Sequence, residues 1–461
     1  MRQHGTASVS LVALAAVAIG IVSGCAGPPR LKRASVTRTF VHPAEEPEID
    51  VRGSADLVTA DGLPGESYAM LAPDGAWSWY GGPRAVSVVG EHARTFAGFV
   101  TSAGDITLAQ FDHGSGLIER HIVNSESRPD DQASPALLVR PDYRLMVFHS
   151  GHRGRWMVCV ISAGPEDITT WGEPRAASGH TSAYAGHTYP NAALLEGEDE
   201  RRYVFWRGEK YRTMFSSSEM AKDWSAPVVL IEDEHRPFFK TASDGDGTIH
   251  FAFTDDHPAN EAANSIHYLC YRDGSFRRAD GTTVATMEDL PIGLDDTELV
   301  YDASASGVRS CLWDLAFDES GRPVIAYTAF PEENDHRYRY ARWDGDAWQD
   351  GEIAPDGGAV PTGERRPRHF DPYASGGAAL DPADPSTVYL SRLIDGVFEI
   401  ERWVTDDGGA TWVSAAVTSG SASDNIRPVV PSGHVPGGPG LIWMSGSYED
   451  YTNSSTALRM K

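Results

Sequence analysis

One phrase recurs along this chain: a short strand of small apolar residues, an acidic or glycine turn, then a second strand rich in aromatic side chains. It runs over 136–148 around Pro141-Asp142, 192–206 around Glu196-Gly197 and 241–253 around Asp246-Gly247. It returns over 315–327 around Ser320-Gly321 and over 378–390 around Pro382. Similar second strands hold Phe99 and Trp443, giving seven anchors: Phe99, Phe148, Trp206, Phe253, Tyr327, Leu390 and Trp443, spaced 47 to 74 residues apart. No long segment keeps a helical period, so each unit is a small sheet that cannot bury both faces alone. Seven strand-rich units of this length predict an all-β fold, a seven-bladed β-propeller over residues 56–461. A β-helix requires shorter repeats, and paired sandwiches do not repeat one phrase so regularly.

The run Thr405-x-Asp407-x-Gly409-x-Thr411-Trp412 supports the propeller. It is an Asp-box, in which the aspartate accepts hydrogen bonds within a hairpin turn, the glycine permits positive φ and the tryptophan plugs the blade. Degenerate copies span Ser162 to Trp171 and Ser216 to Trp224. The box reports on fold, not on activity.

The N-terminus reads as an address. Arg2 and His4 precede an apolar run from Val9 to Val22 that is short for a bilayer span, and it stops at Ser23-Gly24-Cys25. Small residues before a cysteine resemble the bacterial lipobox, which implies a lipoprotein signal peptide over 1–24 and lipidation of Cys25. Residues 25–55 carry Pro28, Pro29, Pro43 and Pro47 and form a tether. The expected location is the cell envelope, either the outer side of the cytoplasmic membrane or the outer membrane, with the lipid as the sole membrane contact. Beyond Cys25 only Cys159, Cys270 and Cys311 remain, an odd number that makes no disulfide scaffold and reads as thiols in strands.

With 65 acidic against 39 basic residues and a net charge of −26, the surface excludes general nucleic-acid binding and resists anionic lipid. Only five of the basic residues are lysines. Arginine in excess suits planar, bidentate recognition of carboxylates, although a GC-rich genome produces the same bias.

A propeller gathers its connecting loops around a pocket on one face. Five stretches flank the repeated phrase with polar residues: 77–84, 149–153, 187–191 with 205–208, 236–240 and 425–428. Their wording is specific: W-x-W-x-x-x-P-R-A, P-A-L-L-V-x-P-D, T-Y-P-N, F-W-R-G, R-P-x-x-K followed by F-A-F-T-D-x-H-P, and R-Y-R-Y-A-R-W-D-G. Over residues 70 to 455 they resemble the BNR-4 repeat family, which includes seven-bladed polysaccharide lyases acting on ulvan. The resemblance implies a lyase that cleaves an acidic polysaccharide or oligosaccharide by β-elimination beside a uronic acid. That chemistry requires a cation on the carboxylate, a base for the C5 proton and an acid for the leaving oxygen. The family's tyrosine falls on Tyr189, its neutralising arginine on Arg207 and its strand-end histidine on His152. Gln132, Arg84, Arg236, Lys240, Arg427 and Tyr373 are the expected substrate contacts, and the chain is expected to act as a monomer.

Two departures stand against the resemblance. The family's D-D-H reads Asp130-Asp131-Gln132 here, and glutamine cannot exchange a proton near neutral pH. Phe238 and Thr241 stand where tyrosines are expected, which makes the pocket less polar. The residues therefore leave open a glycoside hydrolase of the same fold or a noncatalytic glycan-binding protein. The R-I-P phrase that often carries a sialidase's first arginine is absent. Trp77, Trp79 and Trp206 read first as blade plugs. His250, Asp255, His257, His267 and Cys270 are zinc-ligand types in one blade, but the odd spacing of His267 and Cys270 puts them on opposite faces of a regular strand. No cofactor is expected; a structural calcium in a blade loop suits the fold, though no dense carboxylate loop marks one.

Replacing Cys25 by Ser is expected to abolish incorporation of a fatty-acid analogue in cells. Unchanged labelling would refute lipidation.

Overall fold

The computed structural model describes residues 58–59, 68–125, 128–179, 186–360 and 371–461. The signal peptide, the tether and Cys25 lie outside the described residues. Seven sheets follow one another along the chain, each an antiparallel meander. Their innermost strands are Ala85–Val89, Ala136–Val139, Thr188–Leu195, Phe239–Ser243, Arg309–Phe317, Ala378–Leu380 and Asn425–Val429. Each neighbours the next around a central axis. Between the last and first blades, the Ser87 amide donates to the Ser432 carbonyl at 2.8 Å and the Ser432 amide to the Ala85 carbonyl at 3.0 Å.

The seven anchors all fall on the second strand of their blade, and none is more than 2 % exposed. The cause is the pleat. One face of every second strand points into the gap between adjacent blades, and an aromatic or branched side chain fills it. The widest anchor spacing, from Phe253 to Tyr327, is explained by additional strands in the fourth blade, Ser275–Arg277, Thr283–Thr286 and Glu298–Tyr301.

An N-terminal strand closes the ring. Ala69–Ala72 pairs antiparallel with the final strand, Asn453–Met460, as the outermost strand of the last blade. The sequence places such a strand near Ser67 to Leu71; Ser67 itself lies outside the described residues. Pairing a strand from ahead of the first blade with the final strand locks the ring shut and leaves only a short strand at the sheet edge. Leu71 and Ala72 are buried against Trp77, Phe99 and Leu458.

The Asp-box joins the third and fourth strands of the sixth blade, Val397–Val404 and Val413–Ala416. The Asp407 carboxylate accepts from the Thr411 hydroxyl at 2.6 Å and from the Thr411 amide at 2.8 Å, which holds it down at about 2. Gly409 sits at φ +100°, and the Trp412 indole donates back to its carbonyl at 3.1 Å. The degenerate copies occupy the same third-to-fourth connection of the second and third blades. In the former, the Trp171 indole repeats the bond three residues back, to the Ile168 carbonyl at 2.9 Å.

Cys159, Cys270 and Cys311 are unpaired and lie in strands; Cys159 and Cys311 are buried. Among the described residues no helix is long and apolar enough to cross a membrane.

Leu71 is 1 % exposed. Leu71→Ala is expected to lower unfolding stability by about 2–5 kcal/mol, read from urea titration, because it removes buried methyl groups at the closing strand.

Candidate functional site

A cavity of about 390 Å³ opens on one face of the ring, and its wall includes Gln132, His152, Tyr189, Arg207, Arg236 and Arg427. The segment from Trp77 to Arg84 crosses beneath it. The Trp79 indole donates to the Leu312 carbonyl at 3.1 Å, the Tyr80 hydroxyl lies 3.1 Å from Cys311 Sγ, and the Gly82 amide donates to the Pro190 carbonyl at 3.0 Å. This strap ties the first blade to the third and fifth. Ser78 and Trp79 border both the cavity and the larger axial channel on its other side.

Two inner strands present their side chains through the same device. At Tyr189-Pro190 and Arg427-Pro428 the strand register slips, and the residue before the proline takes positive φ, +58° and +51°. Proline has no amide to lose from the ladder, so the pairing breaks there at least cost. A bulky residue in this backbone region costs about 1–3 kcal/mol, a strain that persists where surrounding contacts over-determine it. The bulge turns Tyr189 and Arg427 to the cavity instead of the pleat.

Beneath the cavity lies a buried ion pair. The Arg427 guanidinium donates to Asp131 Oδ2 and to the Trp77 carbonyl, both at 2.6 Å, and the Tyr448 hydroxyl donates to the same carboxylate oxygen at 2.7 Å. The Arg427 guanidinium also stacks on Tyr448 and Trp79, 4.0 and 4.8 Å from their ring centres. Burial opposes its charge, but Tyr448 and Asp131 outweigh that and raise its affinity for the proton. Burial also lifts the Asp131 carboxyl above the ordinary carboxylate value, against the pull of Arg427 and Tyr448.

Asp131 begins a single 3-10 turn, Asp131–Ala133, capped by Asp130, whose Oδ1 accepts the Gln132 amide at 3.0 Å. The other oxygen of Asp130 lies 2.8 Å from His152 Nδ1. In the tautomer that donates Nδ1–H to Asp130, Nε2 is left as an acceptor. The Tyr189 hydroxyl donates to Gln132 Oε1 at 2.8 Å. Burial pushes the Tyr189 phenol well above its usual pKa, opposed by the nearby Arg207 cation. Arg207 is buried at the end of Arg201–Arg207, and its guanidinium lies 4.8 Å from the Tyr189 ring centre and 4.4 Å from that of Phe238. Across the cavity, His257 Nε2 and Asp371 Oδ2 are 3.1 Å apart.

A model of the BNR repeat-containing family matches residues 94–355, more than half of the chain. The chain belongs to the BNR-4 repeat family. Among solved structures, a PL25 ulvan lyase bound to -[GlcA(1-4)Rha3S]- superposes with a TM-score of 0.64 at 14% identity, over 85% of this chain and 94% of that one. The PL25 ulvan lyase solved without that ligand gives 0.64 at 13%, over 85% and 95%. Polysaccharide lyase Uly1 gives 0.50 at 12%, over 87% and 94%. At these identities the likeness is one of fold. No curated protein sequence matches the chain.

In this BNR-4 propeller, Tyr189, Arg207, His152, Gln132, Arg236 and Arg427 share one cavity; all but Gln132 come from the flanking stretches. Other expected contacts stand apart from it. The Arg84 guanidinium is buried along the axial channel and donates to the Pro135 and Ser78 carbonyls, and burial lowers its pKa to about 9. Lys240 also lines the channel and pairs with Asp314 at 2.9 Å. Tyr373 packs edge-on against Phe330 under Arg309, beside the wall formed by Asp371 and Ala374. Arg427 reaches the cavity already bound to Asp131. Trp77 and Trp206 are buried in the gaps between blades, whereas Trp79 lines the cavity.

The zinc-ligand types of the fourth blade are spent on other partners. His250 bonds the Tyr268 hydroxyl, His267 bonds Asp255, and His257 meets Asp371. Among the described residues no three such side chains are placed to hold a metal. Sequence reasoning missed Asp130, Asp131, Tyr448 and Tyr211. The first two sat in plain view beside Gln132. The tyrosines carry no local signal, because Arg153 and Arg236 for Tyr211, and Asp131 for Tyr448, come from other blades.

Asp131→Asn is expected to destabilise the fold by about 3–5 kcal/mol in denaturant titration, because it leaves the Arg427 cation buried without its counter-charge.

Proposed function

We propose that this propeller is a polysaccharide lyase that cleaves a uronate-containing chain by β-elimination. The observation that carries the reading is the meeting of Tyr189, Gln132, His152 and Arg207 in one cavity, with the Tyr189 hydroxyl 2.8 Å from Gln132 and the Arg207 cation against its ring. The substrate class follows from Arg207, buried and paired with no carboxylate among the described residues of a chain so acidic, and from the glucuronate-bearing ligand of the PL25 ulvan lyase. In this reading the enzyme is tethered to the cell envelope through lipid on Cys25.

Arg207 receives the uronate carboxylate and stabilises the charge that builds there as the C5 proton leaves. His152, oriented by Asp130 through Nδ1, takes that proton on Nε2. The electron pair forms the C4–C5 double bond, and the bond from C4 to the glycosidic oxygen breaks. Tyr189, kept protonated by burial, delivers its proton to that oxygen. Gln132 does not titrate; its carbonyl oxygen aims the phenol. The glutamine thus removes one proton-transfer group found in the family's phrase and leaves the work to His152 and Tyr189.

The same glutamine favours a second reading, a propeller that binds glycan without cleaving it. Product analysis separates the two. Elimination yields an absorbing unsaturated uronate, hydrolysis a new reducing end without that absorbance, and binding neither. Arg207→Ala is expected to reduce unsaturated product by about a hundred- to a thousandfold, the scale of losing one transition-state donor. Tyr189→Phe should match it while binding is retained, and Gln132→His should maintain or raise the rate on ulvan-like substrates. No unsaturated product from any uronate polymer, with binding intact, would replace the lyase by the binding protein. Full activity in both Arg207→Ala and Tyr189→Phe would overturn the residue roles.

A further inference from the structure

Tyr211 is the hub of a second constellation in the cavity, which the elimination chemistry touches only through Arg207. It ends the 3-10 turn Glu209–Tyr211, in which Lys210 and Tyr211 both take positive φ, +56° and +63°. Two consecutive side chains in this backbone region mark a turn that its surroundings hold in place. Three guanidinium groups gather around the Tyr211 ring: Arg236 at 4.5 Å from its centre, and Arg153 and Arg207 each at 5.5 Å. Arg153 Nη2 also donates to the Tyr211 hydroxyl at 3.0 Å.

The three arginines come from separate segments: the loop after the second strand of the second blade, the end of the second strand of the third, and the connection into the fourth. Arg207 is buried in the floor, while Arg153 and Arg236 are exposed at the rim, and all three line the cavity. Among the described residues none of them forms an ion pair with a carboxylate, although the chain carries 65 acidic side chains. An aromatic face attracts each cation but does not neutralise the repulsion among them. Converging cations at the mouth of a low-dielectric cleft create a focused positive potential, and guanidinium forks match the geometry of an oxyanion.

We propose that Arg153 and Arg236, positioned by Tyr211, form a second oxyanion subsite at the cavity rim. It takes an anionic substituent on the sugar adjoining the uronate, either a sulfate ester or a second carboxylate. The proposal rests on the carbohydrate reading of the cavity, not on the elimination step. The floor cation meets the group beside the scissile bond, and the rim cations select chains whose next residue is also charged.

Direct titration calorimetry at fixed low salt tests this with three probes: a sulfated uronate polysaccharide, its chemically desulfated form, and an unsulfated polyuronate. Wild type is expected to bind the desulfated polymer about tenfold more weakly than at least one of the others, the scale of one charge-assisted bond. The preferred probe identifies the substituent. Arg153→Gln and Arg236→Gln should each lose about tenfold on the preferred probe and nothing on the desulfated one. Tyr211→Leu keeps every charge and should lose the same preference, with an unchanged melting temperature as the control on folding. A wild type that fails to discriminate, binding none of the probes included, overturns the subsite. So do variants that weaken on all probes alike. Each protein is also titrated in a Tyr189→Phe background, which is expected to bind without cleaving, so a missing unsaturated product would defeat the elimination reading and leave this result standing.

Discussion

The Arg427–Asp131 pair is the contact on which the cavity depends. It joins the inner strand of the last blade to the turn before the second, two segments that are neighbours only because the ring closes. A buried ion pair contributes little net stability, since desolvation offsets most of the attraction. Its value lies in position. Asp131 carries the turn on which Asp130 and Gln132 sit, and these hold His152 and Tyr189 through bonds of 2.8 Å each. Fixing one carboxylate therefore fixes four side chains on three elements. Tyr448 and the Trp77 carbonyl add hydrogen bonds to the pair.

The site is built on strained backbone supported by a rigid ring. Tyr189, Arg427, Arg153 and Tyr211 all take positive φ and all face the cavity. Each would relax if isolated. The blades hold them because the gaps between sheets are filled by the seven anchors, and a close-packed interior transmits little give. The strap from Trp77 to Arg84 adds a second constraint by spanning the axis and separating cavity from channel. Arg84 lies along the channel, where its guanidinium donates to the strap's own Ser78 carbonyl and to that of Pro135.

Charge is distributed in opposition to the average. A chain of net −26 places Arg153, Arg207 and Arg236 together without carboxylate partners at one end of the cavity. The same wall also carries Asp131, Asp256, Asp371, Glu449 and Asp450. A polyanionic glycan approaching an acidic protein is repelled everywhere but at such a patch, which helps orient it.

The sequence by itself determined the ring. Its repeated phrase, the anchor spacing and the Asp-box are local patterns, and burial between blades demands them at every turn of the chain. It also singled out Tyr189, Arg207 and His152 in short phrases beside strand ends, and Gln132 through the family resemblance; the four line one cavity. What it could not decide was which polar residues converge. Arg84, Lys240 and Arg427 were alike expected as substrate contacts. Whether such a residue meets a channel carbonyl, Asp314 or Asp131 depends on where the inner strand breaks its register and which blade lies opposite. Tyr211 and Tyr448 were invisible for the same reason: Arg153 and Arg236 reach Tyr211 from other blades, and Asp131 lies some 300 residues from Tyr448. Local periodicity is set by neighbours along the chain, whereas ion pairing and stacking are set by neighbours in space, and only closure of the ring brings those together.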